Sequence, residues 1–204
     1  MTNAEMTADE ATLAHAAEAV HDGRLVVYPT ETVYGLGANA LDGTAVERVF
    51  EAKGRERENP VSLGVANVDA ALLHTDPTET EIEFMHEFLP GPVTVLVDAG
   101  PEVPDVLTAG RSEVGIRVPD HPVALSLLRE TGPLTATSAN RSGAGSARRI
   151  EEIGEEVREA CGAVIDAGEL PGTESTVVNV SEGVIHRRGA GAEAIAAWLA
   201  EPEE

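Results

Sequence analysis

With 204 residues, 42% of them hydrophobic and only 3% aromatic, the chain can close one generous domain around Val, Leu, Ile and Ala, which excludes a disordered polymer. Its formal net charge of −22 excludes nucleic acid and anionic membranes as partners unless a local basic patch overrides it. A single cysteine, Cys161, excludes an intrachain disulfide and a cysteine metal site.

In chain order, residues 1–6 are expected to fray. Thr7-x-x-Glu10 has the form of a capping box, with Leu13, Ala16, Ala17 and Val20 on one helical face and Gly23 as its stop. A strand over 24–28 feeds the stretch 28–40, YPTETVYGLGANA, which reads as a strand-to-helix loop. Pro29 offers no ladder donor, so Thr30, Glu31 and Thr32 are expected at a strand end, where α/β folds place ligands. A helix over 44–52 turns Val46, Val49 and Phe50 inward, and Lys53, Arg55 and Arg57 emerge at its C-terminal end.

A strand is expected over 61–65, a short helix near 69–73, a helix over 79–88 stopped by Pro90-Gly91-Pro92, and a strand over 93–97. Residues 100–112 read as a loop without periodicity. Strand 114–118 carries Arg117, helix 122–130 follows, and strand 134–137 runs into Ser138-Ala139-Asn140. One helix is expected through Ile150, Ile153, Val157 and Ala160, with Cys161 at its end as an inert packed thiol. Strands over 163–166, 175–180 and 184–187 precede a helix over 193–200, and the last two strands pair antiparallel around Ser181-Glu182-Gly183. The alternation argues for an α/β domain with a mixed, twisted sheet.

Several chemistries fail on spacing. Six residues separate Gly35-x-Gly37-x-x-Ala40 from Tyr28, and the region near 57–60, where a dinucleotide site needs its acid, holds Arg, Glu, Asn and Pro in a turn-like segment. The six histidines show no metal-ligand spacing, and Ser138 and Ser175 lack nucleophile-elbow glycines. What remains is a dispersed set of anion and hydroxyl binders: Lys53 with Arg55, Arg117, Ser138 with Asn140, and Ser175-Thr176 with Arg187. Lys53 is the only lysine among fourteen basic residues. A point charge beside a guanidinium fork suits a polyphosphate. Helix capping is the plainer alternative for Lys53 and Arg55, and an ordinary turn for Ser138 and Asn140.

Together these stretches resemble the YrdC-like family, the L-threonylcarbamoyladenylate synthases. The resemblance rests on Pro29-Thr-Glu-Thr-Val-Tyr-Gly-Leu36, Lys53-x-Arg55 with Asn59-Pro60, and Pro90-Gly-Pro-Val-Thr94. It continues in Arg117-Val-Pro119-x-His121-Pro122, Ser138-Ala-Asn140-x-Ser142-Gly143, Glu174-Ser-Thr-Val-Val178 and Arg187-x-Gly189, in the family's order. It implies a twisted open α/β sheet around a large concave cavity, as one domain over 1–204 with its core at about 10–200.

The implied reaction joins L-threonine, bicarbonate and ATP into threonylcarbamoyl-AMP and pyrophosphate, feeding the threonylcarbamoyl modification of tRNA through a downstream transfer complex. Lys53, Arg55, Ser138 and Asn140 match the residues implied to bind ATP phosphates and the intermediate. Arg57, Ser146 and Arg187 fall on the nucleotide side, and Thr30, Arg117 and Ser175 on the threonine side. Mg²⁺ is expected to arrive with the triphosphate rather than in a protein cage. Gly64 stands where longer members often carry His, and the single-domain form is expected to close its own cavity through residues 141–149.

Two other readings stay open: carbamoyl-AMP chemistry without threonine, and an RNA-binding module in which Arg55, Arg57, Arg141, Arg148 and Arg149 meet. The near absence of lysine points to a high-salt cytoplasm and a halophilic source, against an acidic protein of ordinary salt. No apolar run reaches the ~18 residues of a membrane span and the acidic start lacks a signal-peptide core, so a soluble cytoplasmic protein is expected.

Overall fold

The computed structural model describes residues 9–200. Its elements run α1 (Glu10–His21), β1 (Leu25–Pro29), β2 (Tyr34–Gly37), α2 (Gly43–Lys53), β3 (Ser62–Gly64), α3 (Val68–Leu72), α4 (Glu79–Phe88), β4 (Val93–Asp98) and α5 (Asp105–Thr108). The chain continues with β5 (Glu113–Arg117), α6 (Pro122–Thr131), β6 (Leu134–Ser138), a 3₁₀ turn (Ile150–Glu152), α7 (Glu155–Glu159), β7 (Cys161–Val164), β8 (Thr176–Asn179), β9 (Val184–Arg187) and α8 (Ala192–Leu199). The nine strands form one mixed sheet in the order β7-β1-β2-β6-β3-β5-β4-β8-β9. The β8–β9 pair is antiparallel, as the sequence predicts.

The stretch expected to be a loop contains strand β2. Tyr28 pairs with Gly35 and Pro29 with Tyr34, so β1 and β2 form a hairpin closed by residues 30–33. Thr30 locks that turn: its hydroxyl accepts from Thr32 N and Val33 N, both at 3.2 Å, and donates to Val33 O at 2.6 Å. Gly35 serves the pairing rather than a bend, because a Cβ there would sit 2.9 Å from the Tyr28 ring that lies across it.

Three further expectations are corrected. The observed cap of α1 is Asp9, whose carboxylate accepts from Thr12 N at 2.7 Å; Thr7 lies outside the described residues. Residues 105–108 form α5 within the expected loop. The helix expected through 150–160 is split, because Gly154 takes the N-cap position of α7 after the 3₁₀ turn, and Cys161 opens β7 instead of ending a helix. That thiol does pack inside: it donates to Val157 O, and burial pushes it up to about 12.

Small aliphatic side chains fill the interior. One cluster joins α1 and α6 across β1 through Ala16, Val20, Val26, Ala124 and Leu127. A second packs Val49 of α2, Leu25 and Leu36 against Val157. The largest gathers β3, β4, β5 and β8 with α4 and α8, where Phe84 meets Trp198 edge-on at 5.0 Å. Helix α4 opens with a capping box, with Thr78 and Glu81 bonded reciprocally.

Candidate functional site

The twisted sheet leaves a concave cavity of about 660 Å³, within the ~300–1,000 Å³ usual for small-molecule sites. Its floor is made of small residues. A Cβ on Gly115 would lie 2.7 Å from Ser62 Oγ and 2.8 Å from Thr94 Cγ2, so a side chain there would collide with two other lining residues. Thr30, Arg55, Arg117, Ser138, Ser146, Ser175 and Arg187 all line this one cavity although they come from across the chain.

At one end α2 stops at Lys53 because Gly54 takes a left-handed conformation (φ 56°) that returns its N–H to the helix. The reversal carries Arg55 to the cavity wall, where its Nε donates to Asn59 O (2.9 Å) and its guanidinium to Pro60 O (2.8 Å). Lys53 itself is buried and does not line the cavity. Its ammonium donates to Ser138 O and, at 2.7 Å, to Asn140 O. Burial first, and the Arg55 charge second, push it down to about 8.

Asn140 is also turned away from the cavity. Its amide nitrogen donates to Arg141 O and Ala144 O, each at 2.7 Å, and its Oδ1 is buried without a partner. Arg57, expected with Lys53 and Arg55, is placed apart from them: it is ion-paired to Glu47 on the outer face of α2 and does not line the cavity.

At the other end Arg117 closes β5, almost fully buried. One terminal nitrogen donates to Gly91 O and to Val93 O (3.2 Å); the other reaches Glu31 Oε1 at 2.6 Å and Thr32 Oγ1 at 3.5 Å. The second oxygen of Glu31 is buried without a partner. His121, from the same motif, caps α6 by accepting from Val123 N, and burial holds its imidazole below the ordinary range.

Ser175 and Arg187, grouped by residue type but assigned by the resemblance to different substrates, touch each other. The Arg187 guanidinium donates to Ser175 Oγ at 2.8 Å and to Ser175 O at 3.0 Å, while Ser175 Oγ also meets Thr94 Oγ1 at 3.2 Å.

Sequence reasoning missed other lining residues, among them Tyr28, Ser62, Thr137, Glu113 and His186. Thr137 had a signal, since it directly precedes Ser138 on an expected strand. Glu113 had none: its place is fixed by a 2.7 Å bond from Asn179 that only the folded sheet creates. The connection from β7 to β8 borders the cavity with Thr173 and Glu174, and Gly172 N donates to Thr32 O at 2.8 Å. Of residues 141–149, expected to close the cavity, Ser146 lines it.

The other three arginines of the RNA-binding reading are matched locally. Arg141 pairs with Glu156, and Arg148 and Arg149 share Glu169, so no basic groove forms among them. Among the described residues, no three His, Cys, Asp or Glu side chains come together as a cation cage, and no helix is long and apolar enough to cross a membrane.

Residues 18–189 match the family described as telomere recombination, which groups Sua5, YciO and YrdC. The threonylcarbamoyl-AMP synthase of Pyrococcus abyssi is 42% identical over 171 residues, which is 82% of this chain and 50% of that protein. The threonylcarbamoyl-AMP synthase of Bacillus subtilis is 36% identical over 184 residues, 88% of this chain and 53% of that one. The crystal structure of P. abyssi Sua5 complexed with L-threonine superposes with a TM-score of 0.84 at 39% identity, covering 89% of this chain and 55% of the other. The chain spans about half the length of these relatives.

Proposed function

The chain belongs to the Sua5, YciO and YrdC family, and we propose that it is a threonylcarbamoyl-AMP synthase acting in the cytoplasm. One observation carries the reading: a single cavity of about 660 Å³ is lined by Arg55, Ser138 and Ser146 together with Arg117, Thr30 and Ser175. A triphosphate suits the first group and an amino-acid carboxylate the second. That P. abyssi Sua5 has been crystallised with L-threonine supports an amino acid as one of the two ligands.

In this reading the unprotonated amine of L-threonine attacks the carbon of CO₂ derived from bicarbonate, and water is lost. A carbamate oxygen then attacks the α-phosphorus of ATP and pyrophosphate departs with the bond electrons. No protein nucleophile is required. The chain's part is to hold the reactants in line and to stabilise charge on the phosphates through Arg55, the hydroxyls of Ser138 and Ser146, and Arg187. Gly54, Asn59 and Pro60 fix where Arg55 points, so this donor is set before substrate arrives. The described residues build no cage for Mg²⁺, which is assigned to the nucleotide as its counter-ion. The product is suited to transfer onto tRNA by a separate downstream complex.

The test is product identity. Purified chain given ATP, Mg²⁺, L-threonine and ¹³C-bicarbonate should yield threonylcarbamoyl-AMP carrying the label in its carbamoyl carbon. Labelled carbamoyl-AMP formed without threonine would move the assignment to threonine-independent chemistry.

A further inference from the structure

We propose that Lys53 is a positioning residue: by bracketing the carbonyl oxygens of Ser138 and Asn140 it sets the course of the 138–146 segment and thereby aims Ser138 and Ser146 into the cavity. The C-terminal end of α2 and this segment are joined at three points. The Lys53 ammonium donates to Ser138 O and to Asn140 O, and Lys53 O accepts from Ser142 N at 2.9 Å. The segment is then closed on itself by the Asn140 amide, which reaches Arg141 O and Ala144 O. Its start is pinned by Ala139 N to Tyr34 O at 2.8 Å. Ser138 and Ser146, one at each end of the segment so held, line the cavity, whereas Lys53 and Asn140 do not.

The residue type fits the task. Every other basic residue of this chain is arginine or histidine, and the one lysine occupies a position that is 2% exposed. Two carbonyls two residues apart converge on a single point, which suits a compact head with three rotatable donors and not a planar fork. Desolvating an ammonium is costly, and two charge-assisted hydrogen bonds to backbone are what offset it. Arg55, two residues on, points the other way and lines the cavity, and Arg141 lies against Gly54, so positive charge is already supplied nearby. The role in nucleotide binding rests on the function proposed above; the clamp itself does not.

The experiment is amide hydrogen exchange on the full chain without ligand, in molar KCl, comparing wild type with Lys53→Met and Lys53→Arg, followed by KM for ATP and for threonine. Both variants should speed exchange over 138–146 by about ten-fold or more, as loss of charge-assisted bonds implies, while α1 and α4 keep their protection. KM for ATP should rise by about ten-fold or more with little change in KM for threonine. Unchanged protection of 138–146 in Lys53→Met overturns the proposal, as does Lys53→Arg behaving like wild type, since charge alone would then suffice. Protection lost throughout the chain also overturns it, because Lys53 would then be only a core residue. Should the wild type fail to bind Mg·ATP, the functional reading falls, and the exchange contrast still decides the clamp.

Discussion

Arg117 and Glu31 form a buried ion pair at 2.6 Å, and the guanidinium spends its remaining reach on Gly91 O, Val93 O and Thr32 Oγ1. The cation expected to receive a substrate carboxylate is therefore already held by an internal one. Arg117→Ala strands Glu31 as a buried, unpaired charge and should cost roughly 3–5 kcal/mol. The double variant Arg117→Ala with Glu31→Ala should recover part of that loss. Guanidinium-chloride unfolding in constant KCl measures both; a double variant as unstable as Arg117→Ala would show that losing Arg117 does not strand Glu31.

Replacing Arg117 by Lys keeps the charge and removes the fork. One ammonium cannot span Gly91, Val93 and Glu31 together, so KM for threonine should rise by about ten-fold or more while KM for ATP stays within about two-fold. Parallel rises in both constants would place Arg117 outside the amino-acid end.

Ser175, assigned to the amino acid, is bonded to Arg187, assigned to the nucleotide, whose guanidinium donates to its hydroxyl. Ser175→Ala removes an acceptor of a charged donor, an effect of about 1.5–3 kcal/mol. Both KM values should climb together, in contrast to Arg117→Lys. Steady-state titration of each substrate at saturating levels of the other reads this directly.

Lys53 titrates in a window its burial defines. Its pKa falls from 10.5 to about 8 on folding, so between those values the unfolded chain binds more protons, and this group adds stability as pH rises. The contribution is complete above the unfolded value and lost as pH falls through about 8. Wild type should therefore gain stability relative to Lys53→Met on going from near neutrality to about pH 10. A constant difference across that range would mean the ammonium is not desolvated.

The charge of −22 predicts a salt requirement. Raising KCl from about 0.1 M to 1 M shortens the Debye length from ~10 Å to ~3 Å and relieves carboxylate repulsion. The thermal midpoint should rise by several degrees over that range, followed by far-UV circular dichroism; a flat or falling midpoint would tie the acidity to something other than salt.

The sequence made the alternation of helices and strands legible, down to the limits of α4 and the antiparallel β8–β9 pair, because apolar periodicity and Pro-Gly-Pro are local signals. Strand β2 was hidden: Tyr-Gly-Leu-Gly has little strand propensity, and it pairs because Tyr28 needs glycine beneath its ring, a cross-strand fact. The break at Gly154 was masked by apolar residues that keep helical spacing on both sides of it. Residue types of the site were readable, but directions were not. Nothing in the spacing of Lys53, Arg55 and Arg57 says that the first turns into the loop, the second into the cavity and the third back to Glu47; Gly54 decides it by reversing the chain.

The most direct test is pyrophosphate release by the purified chain in molar KCl with ATP, Mg²⁺ and bicarbonate, with and without L-threonine, in wild type and Arg55→Ala. Release that depends on threonine and collapses in Arg55→Ala is the predicted result. Release indifferent to threonine, or no release from a folded protein, would contradict a cavity that brings nucleotide and amino acid together.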